Sequence, residues 1–423
     1  MQTLDPTVGG VGPAVMALSR GLLRKGHEID IVTLDQPASP WIPDVAGQGE
    51  TGQLLRYKSR DDRSGANIRE WATQPIDSIG RPAGATRVGL TVHALGPGLT
   101  SYRYSRRLRN WLRRRGGDYD RVIVNGLWQY LSFAVWRQFA GSATPYYVFP
   151  HGMLDPWFKQ TFPLKHLKKW LYWPWAEYRA LRDAAAVVFT SEQERLEARK
   201  SFWLYRCREQ VSPLGLESPP SIPPQARQMF VAKFPQIRNT RMLLFLGRLH
   251  PKKGCDILIE ALPRDEDPEN VISVVLAGPD QIGWAQQLRA RVARLDIGPR
   301  IVFAGMLDGE MKQGALANAD ALILPSHQEN FGMSVVEALA VGLPVLISNR
   351  VNIWPEIDAD GAGYVEGDDV AGTARLIERW IATPPAQRET MRANARRCFQ
   401  RRFQIDHAVA SLLRILSEPR AAG

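Results

Sequence analysis

The sequence predicts an α/β protein of two domains, each built on a mainly parallel sheet that helices cover. Its 423 residues are too many for one ordinary hydrophobic core. Each half alternates short apolar runs with helix-length amphipathic stretches, and a proline-rich segment at residues 218–224 separates the halves. We therefore predict an N-terminal domain at residues 1–217, a linker at 218–224 and a C-terminal domain at 225–395. A helical tail at 396–423 is expected to pack back on the N-terminal domain.

The predicted strands are short apolar runs with little alternation, as in strands that are buried on both faces. In the first half they lie at residues 28–34, 87–94, 121–125, 146–149 and 186–190. In the second half they lie at residues 241–246, 271–277, 301–304, 321–324 and 344–348. Open parallel sheets bind ligands beyond the carboxyl ends of their strands, so functional residues are expected at those positions.

The composition is that of a globular protein, with 44% hydrophobic and 23% charged residues. No apolar run approaches the ~20 residues that span a bilayer, and no secretory leader is recognisable. The three cysteines lack the paired spacing of a disulfide framework or a zinc site. We therefore expect a cytoplasmic protein without a cofactor or a catalytic metal.

The net charge of +11 calls for an anionic partner. Much of it lies in two segments that mix bases with aromatic residues, at 103–115 and 164–175. Such segments occur at membrane surfaces, but they also occur as solvated helix faces whose Leu and Trp pack inward. We favour peripheral contact with the anionic inner face of the cell membrane. Nucleic acid is not expected, because no binding module accompanies the charge.

The segment after the predicted strand 321–324 carries two carboxylates. Glu329 lies in the loop, and a helix is predicted to begin between Asn330 and Gly332 and to end at Gly342. Glu337 follows about 7–8 Å along the helix axis, and the free amides at the helix start can hold an anion. This layout matches the sugar, diphosphate and ribose of a nucleotide sugar. The alternative is a solvated loop carboxylate and an ordinary helix acid.

The loop after the predicted strand 241–246 carries two cations that suit a diphosphate. Arg248 offers a bidentate fork and Lys253 a point charge, both at the carboxyl end of the strand. The spacing fits neither a Walker A loop nor a dinucleotide-binding loop. On charge alone, a solvated basic loop remains an alternative.

The first half offers a histidine and a glycine loop. His151 directly follows the predicted strand 146–149, where it could donate to a substrate hydroxyl or carry a proton; satisfaction of local backbone groups is the alternative. His27 precedes a strand and is interpreted as structural. Gly10 belongs to the cluster Gly9-Gly10-Val11-Gly12 before a predicted helix at 13–24, and such clusters often mark turns.

The run E-N-F-G-M-S-V-V-E-A-L-A-x-G-L-P-V, with Glu329 and Glu337 at its acidic positions, resembles the signature of the family-4 glycosyltransferases. That family has the GT-B fold, in which two Rossmann-like domains face a cleft. The pattern G-R-L-x-x-x-K-G, with Arg248 and Lys253, and the His151-Gly152 pair are similar to further motifs of the family. The resemblance therefore implies a metal-independent, retaining transfer of a hexose from a nucleotide diphosphate sugar.

Residue roles follow from the resemblance alone. It implies a donor diphosphate bound by the two basic side chains, a donor sugar held by the first Glu and the amides after it, and a ribose held by the second Glu. The resemblance further implies a His that contacts the transferred sugar and a Gly-Gly loop that packs on the donor phosphate. The implied catalytic residues are His151, Arg248, Lys253 and Glu329, and the implied donor-binding residues are Gly10, Asn330, Phe331, Gly332 and Glu337.

The acceptor is expected to be a glycan or a lipid-linked sugar in cell-envelope polysaccharide synthesis, because the basic aromatic segments favour a membrane-associated or anionic acceptor. Alternatives are an epimerase or phosphorylase of the same fold, and a degenerate, membrane-docked binding protein. Relatives carry a hydrophobic strand before the glycine loop, of which Met1–Pro6 retains little. Either the start codon is assigned too far downstream or the strand is shortened, and a real loss of the strand would leave backbone groups of the neighbouring strands unpaired. The D-x-D triplets at 118–120 and 358–360 are attributed to chance spacing, because neither has the position or the additional ligands of a metal site.

Overall fold

The computed structural model describes residues 1–5, 7–42, 89–161, 163–263 and 271–418. The chain divides into two units, which are described separately. The N-terminal unit comprises Met1–Thr190, Arg195–Gly215 and Ala408–Gly423, and the C-terminal unit comprises Ser191–Glu194 and Leu216–His407.

The N-terminal half of the chain contains two parallel sheets, β1-β2 and β3-β4-β5-β6. The strands are β1 Ile29–Thr33, β2 Leu90–Ala94, β3 Val122–Asn125, β4 Tyr146–Phe149, β5 Ala186–Phe189 and β6 Glu209–Val211. The helices are α1 Val11–Arg24, α2 Arg106–Arg115, α3 Tyr130–Phe139, α4 Trp157–Thr161, α5 Pro163–Tyr172, α6 Glu177–Arg182 and α7 Glu192–Ala198.

The core of the second sheet is rich in aromatic residues. Phe189 and Tyr146 on the strands, and Trp173 just after α5, are almost fully buried. Trp173 stacks on Phe202 with ring centroids 4.2 Å apart. This packing fixes the loops that leave the carboxyl ends of β3 and β4.

The N-terminal half has two separate sheets, and the first residues of the chain lie beside β1 of the first sheet. Leu34 N–H donates to Gln2 O at 3.0 Å, and the Met1 ammonium donates to Val32 O at 2.8 Å, so Met1 and Gln2 lie along β1. A cavity of about 100 Å³ remains, and Met1, Val32 and Val124 are among the residues that line it. Among the described strands, β1 pairs only with β2, and β3 pairs only with β4.

The C-terminal half contains one parallel six-stranded sheet with the order β12-β11-β10-β7-β8-β9. The strands are β7 Arg241–Leu246, β8 Ile272–Ala277, β9 Ile301–Gly305, β10 Ala321–Leu324, β11 Val345–Ser348 and β12 Gly363–Glu366. The helices are α8 Pro224–Lys233, α9 Cys255–Glu260, α10 Trp284–Arg294, α11 Gly309–Asn318, α12 Met333–Ala340, α13 Trp354–Ala359, α14 Val370–Ala382, α15 Pro385–Cys398 and α16 Ile405–Ser417. Strands β7, β8, β10 and β11 are buried on both faces.

The predicted α/β class with parallel sheets is confirmed, and each predicted strand is found within a few residues of its expected bounds. The predicted strand 87–94 begins at Leu90, and its residues 87 and 88 lie outside the described part of the chain. β6 and β12 were not predicted from the sequence. Neither of these two strands is a continuous apolar run.

The helical last part of the chain is divided between the two units. A π-helical turn at Phe399–Phe403 interrupts it, and Arg402 holds this turn to Asp360 of the C-terminal unit at 2.8 Å. From Ala408 onward α16 belongs to the N-terminal unit, where Glu418 pairs with Arg208 at 2.5 Å. The change of unit therefore falls inside α16, later than the boundary predicted at residue 396. No described helix is both long and apolar enough to cross a membrane.

Candidate active site

Two distant motifs meet at the carboxyl edge of the C-terminal sheet. Strand β7 pairs in parallel with β10, so the loops that follow these two strands lie side by side. Lys252 O accepts hydrogen bonds from His327 N–H at 2.9 Å and from the Ser326 hydroxyl at 3.0 Å. The basic loop and the acidic loop therefore form one site.

An ion pair joins Lys253 to Glu329 inside this site. The two side chains are only 15% and 18% exposed. Burial, and then the neighbouring charges of Lys252 and Arg248, lower the pKa of Lys253 to about 7. The contact with Glu329 favours the charged form of the ammonium. The pair is a cation and a carboxylate held ready for a polar ligand.

Backbone hydrogen bonds fix the main chain of Glu329. Its N–H donates to Arg350 O at 2.9 Å, and its carbonyl oxygen accepts from Asn352 N–H at 3.0 Å. These contacts join the loop after β10 to the loop after β11. The side chain of Glu329 is consequently presented from a rigid main chain.

A glycine allows the two loops to approach. Gly254 has φ of 71°, and a Cβ atom built there would lie 2.1 Å from the backbone oxygen of Pro325. Only glycine combines this left-handed conformation with such a close contact. The final glycine of the predicted G-R-L-x-x-x-K-G pattern therefore sets the distance between the basic and acidic loops.

Helix α12 begins at the same edge of the sheet. Gly332 caps it with φ of 75°, and the first-turn amides form the kind of helix end that attracts anions. The helix begins at Met333, one residue after the end of the predicted range. The Phe331 side chain is buried and meets Phe403 edge-on at 5.7 Å, which leaves its backbone amide as its available contribution to a ligand. Asn330 precedes this buried ring.

Glu337 and Arg248 each contact a polar side chain outside the Lys253–Glu329 pair. Glu337 Oε1 contacts the Lys312 ammonium at 2.7 Å. Lys312 was not predicted from the sequence, because it lies on α11, twenty-five positions before Glu337. Arg248 is partly exposed and contacts Gln281 Oε1 at 3.4 Å. Both site residues carry polar partners that a bound nucleotide could replace.

His151 lies at the carboxyl edge of the N-terminal sheet. It has φ of 51°, and its Nε2 lies 2.8 Å from Asn125 Oδ1 at the end of the adjacent strand β3. An amide oxygen accepts, so Nε2 carries the proton and Nδ1 is an acceptor. Nδ1 is buried and makes no hydrogen bond with the described residues. Burial lowers the pKa of His151 to about 4, which keeps the imidazole neutral at physiological pH.

A network that the sequence analysis missed holds the His151 loop. The Trp128 indole donates to Met153 O at 3.1 Å, and the Trp128 N–H donates to Glu177 Oε1 at 2.7 Å. Glu177 is fully buried, and burial raises its pKa to about 7. Asn125 at the end of the predicted strand 121–125 and Trp128 just after it lie where functional residues are expected, whereas no sequence signal connects Glu177 to them.

Gly10 is the N-cap of α1, at the start of the N-terminal unit. Its φ of −73° and ψ of −10° are open to any residue, so its conformation does not require glycine. Its exposure leaves its backbone accessible to a ligand. The structure thus groups Arg248, Lys253, Glu329 and the start of α12 in the C-terminal unit, and places His151 and Gly10 in the N-terminal unit.

The two D-x-D triplets take part in ion pairs. Asp118 contacts Arg115 at 2.6 Å, and Asp360 contacts Arg402 at 2.8 Å. Within the described ranges, no group of three or more His, Cys, Asp or Glu side chains could hold a metal ion. One carboxylate of each triplet thus pairs with an arginine, and the attribution of the triplets to chance spacing stays a prediction.

Two family models match successive parts of the chain. Residues 9–215 match the glycosyl transferase 4-like domain, and residues 228–398 match the glycosyl transferases group 1. A D-inositol 3-phosphate glycosyltransferase from Streptomyces avermitilis is 35% identical over 167 residues. That alignment covers 37% of this chain and 36% of the relative, which is less than two thirds of the relative's length.

Solved structures resemble the chain over most of its length. Sucrose-phosphate synthase from Thermosynechococcus elongatus matches with a TM-score of 0.70 at 18% identity, covering 96% of this chain and 92% of the other. HepE from Anabaena, in complex with UDP and glucose, matches with a TM-score of 0.62 at 19% identity, covering 78% and 87%. The fold and the family matches define a glycosyltransferase with the GT-B architecture. The chain belongs to the family-4-like glycosyltransferases, as its motifs predict.

Proposed function

We propose that the chain transfers a hexose-type sugar from a nucleotide diphosphate sugar to a hydroxyl of a glycan or lipid-linked acceptor. The observation that carries this proposal is the cluster of Arg248, Lys253, Glu329 and the start of α12 at one sheet edge. Cations and helix-start amides suit a diphosphate, and a carboxylate suits a sugar hydroxyl. The HepE structure, obtained with UDP and glucose, supports a donor of this class.

The proposed reaction retains the anomeric configuration and needs neither a metal nor a cofactor. The bond between the anomeric carbon and the donor phosphate oxygen breaks, and the acceptor oxygen bonds to the same face of that carbon. The acceptor proton passes to the departing phosphate oxygen. Arg248, Lys253 and the helix-start amides stabilise the negative charge that develops on the diphosphate, and stabilisation of this kind usually lowers the barrier most. Glu329 orients the sugar, Glu337 holds the ribose, and Gly10 lies against the donor phosphate.

His151 is proposed to contact the transferred sugar. Its neutral imidazole has a buried acceptor nitrogen, so it can receive the hydrogen of a sugar hydroxyl. Asn125 holds the other ring nitrogen at 2.8 Å and thereby fixes the orientation of the ring.

The acceptor is proposed to be anionic or lipid-linked, in cell-envelope polysaccharide synthesis at the inner face of the membrane. The net charge of +11 supports an anionic partner, and no nucleic acid is proposed. The name of the Streptomyces avermitilis relative, D-inositol 3-phosphate glycosyltransferase, specifies a phosphorylated substrate.

A thermal-shift screen against UDP-, GDP- and ADP-sugars, with and without EDTA, tests the donor site. We expect one nucleotide family to raise the melting temperature, with no effect of EDTA and with loss of the shift in Glu337→Ala. The anomeric configuration of the product, read by NMR, tests retention. No shift with any donor would contradict the proposal in favour of a degenerate binding protein. Donor epimerisation without an acceptor would contradict it in favour of an epimerase.

A further inference from the structure

Helix α5 of the N-terminal unit exposes large apolar side chains to solvent. Leu164 is 80% exposed, Leu171 60% and Leu167 54%. Trp170 lies beside Trp203 from a separate loop, with ring centroids 6.1 Å apart. We define the α5 face as Leu164, Leu167, Trp170, Leu171, Trp175 and Trp203, all of which are exposed. A soluble monomer seldom exposes so many large apolar groups together without a partner.

The opposite side of α5 is firmly packed. The His166 ring stacks on Phe202 at 4.9 Å, and the Lys169 ammonium lies 4.5 Å from the centre of the Trp128 ring. Trp173, at the end of the helix, is fully buried. These contacts fix the rotation of the helix about its axis. The outward direction of the α5 face is therefore part of the fold.

The charge around the α5 face specifies its partner. Residues 157–176 contain no Asp or Glu, and Lys159 and Lys168 are exposed beside the apolar side chains. A surface of Leu, Trp and Lys matches the boundary between acyl chains and anionic headgroups. A second copy of the same face would bring lysines against lysines, which disfavours a dimer through this surface.

Helix α2, which the sequence analysis grouped with this segment, has the opposite arrangement. Leu108 and Leu112 are buried, and Trp111 packs 5.1 Å from His93. The outer surface of α2 presents only polar and basic side chains, including Arg113 and Arg114. For α2 the solvated-face interpretation applies, and this helix can attract anions without inserting apolar groups.

We propose that the α5 face docks on an anionic lipid surface, with its Leu and Trp side chains at the acyl boundary and Lys159 and Lys168 among the headgroups. This deepens the proposed membrane contact by assigning it to one surface. Lys169 lies over Trp128, whose indole bonds to the loop that carries His151. The docked helix therefore supports the loop at the proposed sugar site, which suits an acceptor that is carried by lipid.

Vesicle flotation of the full chain tests the proposal. We expect binding to vesicles of phosphatidylglycerol and phosphatidylcholine, and little binding to phosphatidylcholine alone. Leu167→Ser combined with Leu171→Ser should reduce the partition coefficient by roughly tenfold or more, because two apolar side chains lose their burial in lipid. Lys159→Gln with Lys168→Gln should also reduce binding, more strongly at low salt.

A matched control removes equally exposed apolar groups elsewhere. Ile282 and Met306 of the C-terminal unit are 56% and 53% exposed, and Ile282→Ser with Met306→Ser should bind vesicles as the unchanged chain does. Unaltered melting temperatures would show that each variant is folded. Donor-induced thermal shifts separate this proposal from the proposed catalytic function. Vesicle binding that persists in the Leu167 and Leu171 variant would overturn the proposal. So would a dimer, seen by light scattering, that this variant dissociates.

Discussion

At the residue scale, the Lys253–Glu329 pair shows which site features a sequence can predict. Each residue was expected at the carboxyl end of its own strand, and both are found there. Their mutual contact could not be predicted, since it depends on the pairing of β7 with β10. Lys312 and Glu177 could not be predicted either, because they reach the candidate sites from elements that are distant in sequence.

The low pKa of Lys253 makes the donor affinity sensitive to pH. The ammonium is protonated below its pKa of about 7 and neutral above it. The diphosphate of a nucleotide sugar keeps its charge in this range, so donor affinity should fall as pH rises from about 6 to 8.5. Isothermal titration calorimetry with the donor found in the thermal-shift screen measures this dependence.

Lys253→Arg is the control for this prediction. Arginine stays protonated throughout the range, so the pH dependence should largely disappear in this variant. If Lys253→Arg follows the same pH profile as the unchanged chain, a group other than Lys253 controls donor binding.

At the element scale, buried strands were the most predictable features. β7, β10 and β11 are apolar except for Arg241 at the start of β7 and Ser348 at the end of β11, and their bounds agree with the prediction to within one residue. β6 and β12 were missed because Glu209–Val211 is short and polar and Gly363–Glu366 begins with glycine. The different packing of α2 and α5 could not be predicted either. Two basic-aromatic segments look alike until tertiary contacts decide which side of each helix faces inward.

The loops at the donor edge should depend on Gly254 more than on Gly332. Alanine in a left-handed conformation costs about 1–2 kcal/mol at either position. At Gly254 the new Cβ would also lie 2.1 Å from Pro325 O, whereas at Gly332 its nearest contacts are methyl groups at 3.2 and 3.3 Å. Gly254→Ala should therefore destabilise the chain by clearly more than Gly332→Ala, as measured by urea unfolding. Equal losses would contradict the close approach of the two loops.

At the scale of the whole molecule, the sequence predicted two α/β units and a break near residues 218–224. It did not locate where the last helices divide between the units. That division depends on individual contacts, such as Arg402 with Asp360 and Arg208 with Glu418, which leave no periodic pattern. The prediction about the hydrophobic strand that relatives carry before the glycine loop also concerns pairing. Among the described strands, β1 pairs only with β2 and β3 pairs only with β4.

Helix α16 should stabilise the N-terminal unit selectively. Ile415 is 1% exposed, and Tyr147 of β4 donates to the neighbouring Leu416 O at 3.4 Å. Ile415→Ala should cost about 2–5 kcal/mol through the lost burial and the cavity left behind. Hydrogen exchange should then accelerate in β3–β5 more than in β7–β12.

The matched control is Ile377→Ala on α14, where the side chain is fully buried in the C-terminal unit. It should accelerate exchange in the other set of strands. If both variants gave the same exchange pattern, the two units would unfold together, and the selective role of α16 would be ruled out.

The path of α16 also bears on how the chain acquires its structure during synthesis. The helix is translated after every strand of the C-terminal unit, yet from Ala408 onward it belongs with strands that left the ribosome hundreds of codons earlier. The N-terminal unit therefore cannot bury the apolar surface that α16 covers until the second half of the chain has been translated. Domains usually fold in order of synthesis. Here all the described strands of the N-terminal unit are made first, but the last helical segment of that unit is made after the whole C-terminal sheet.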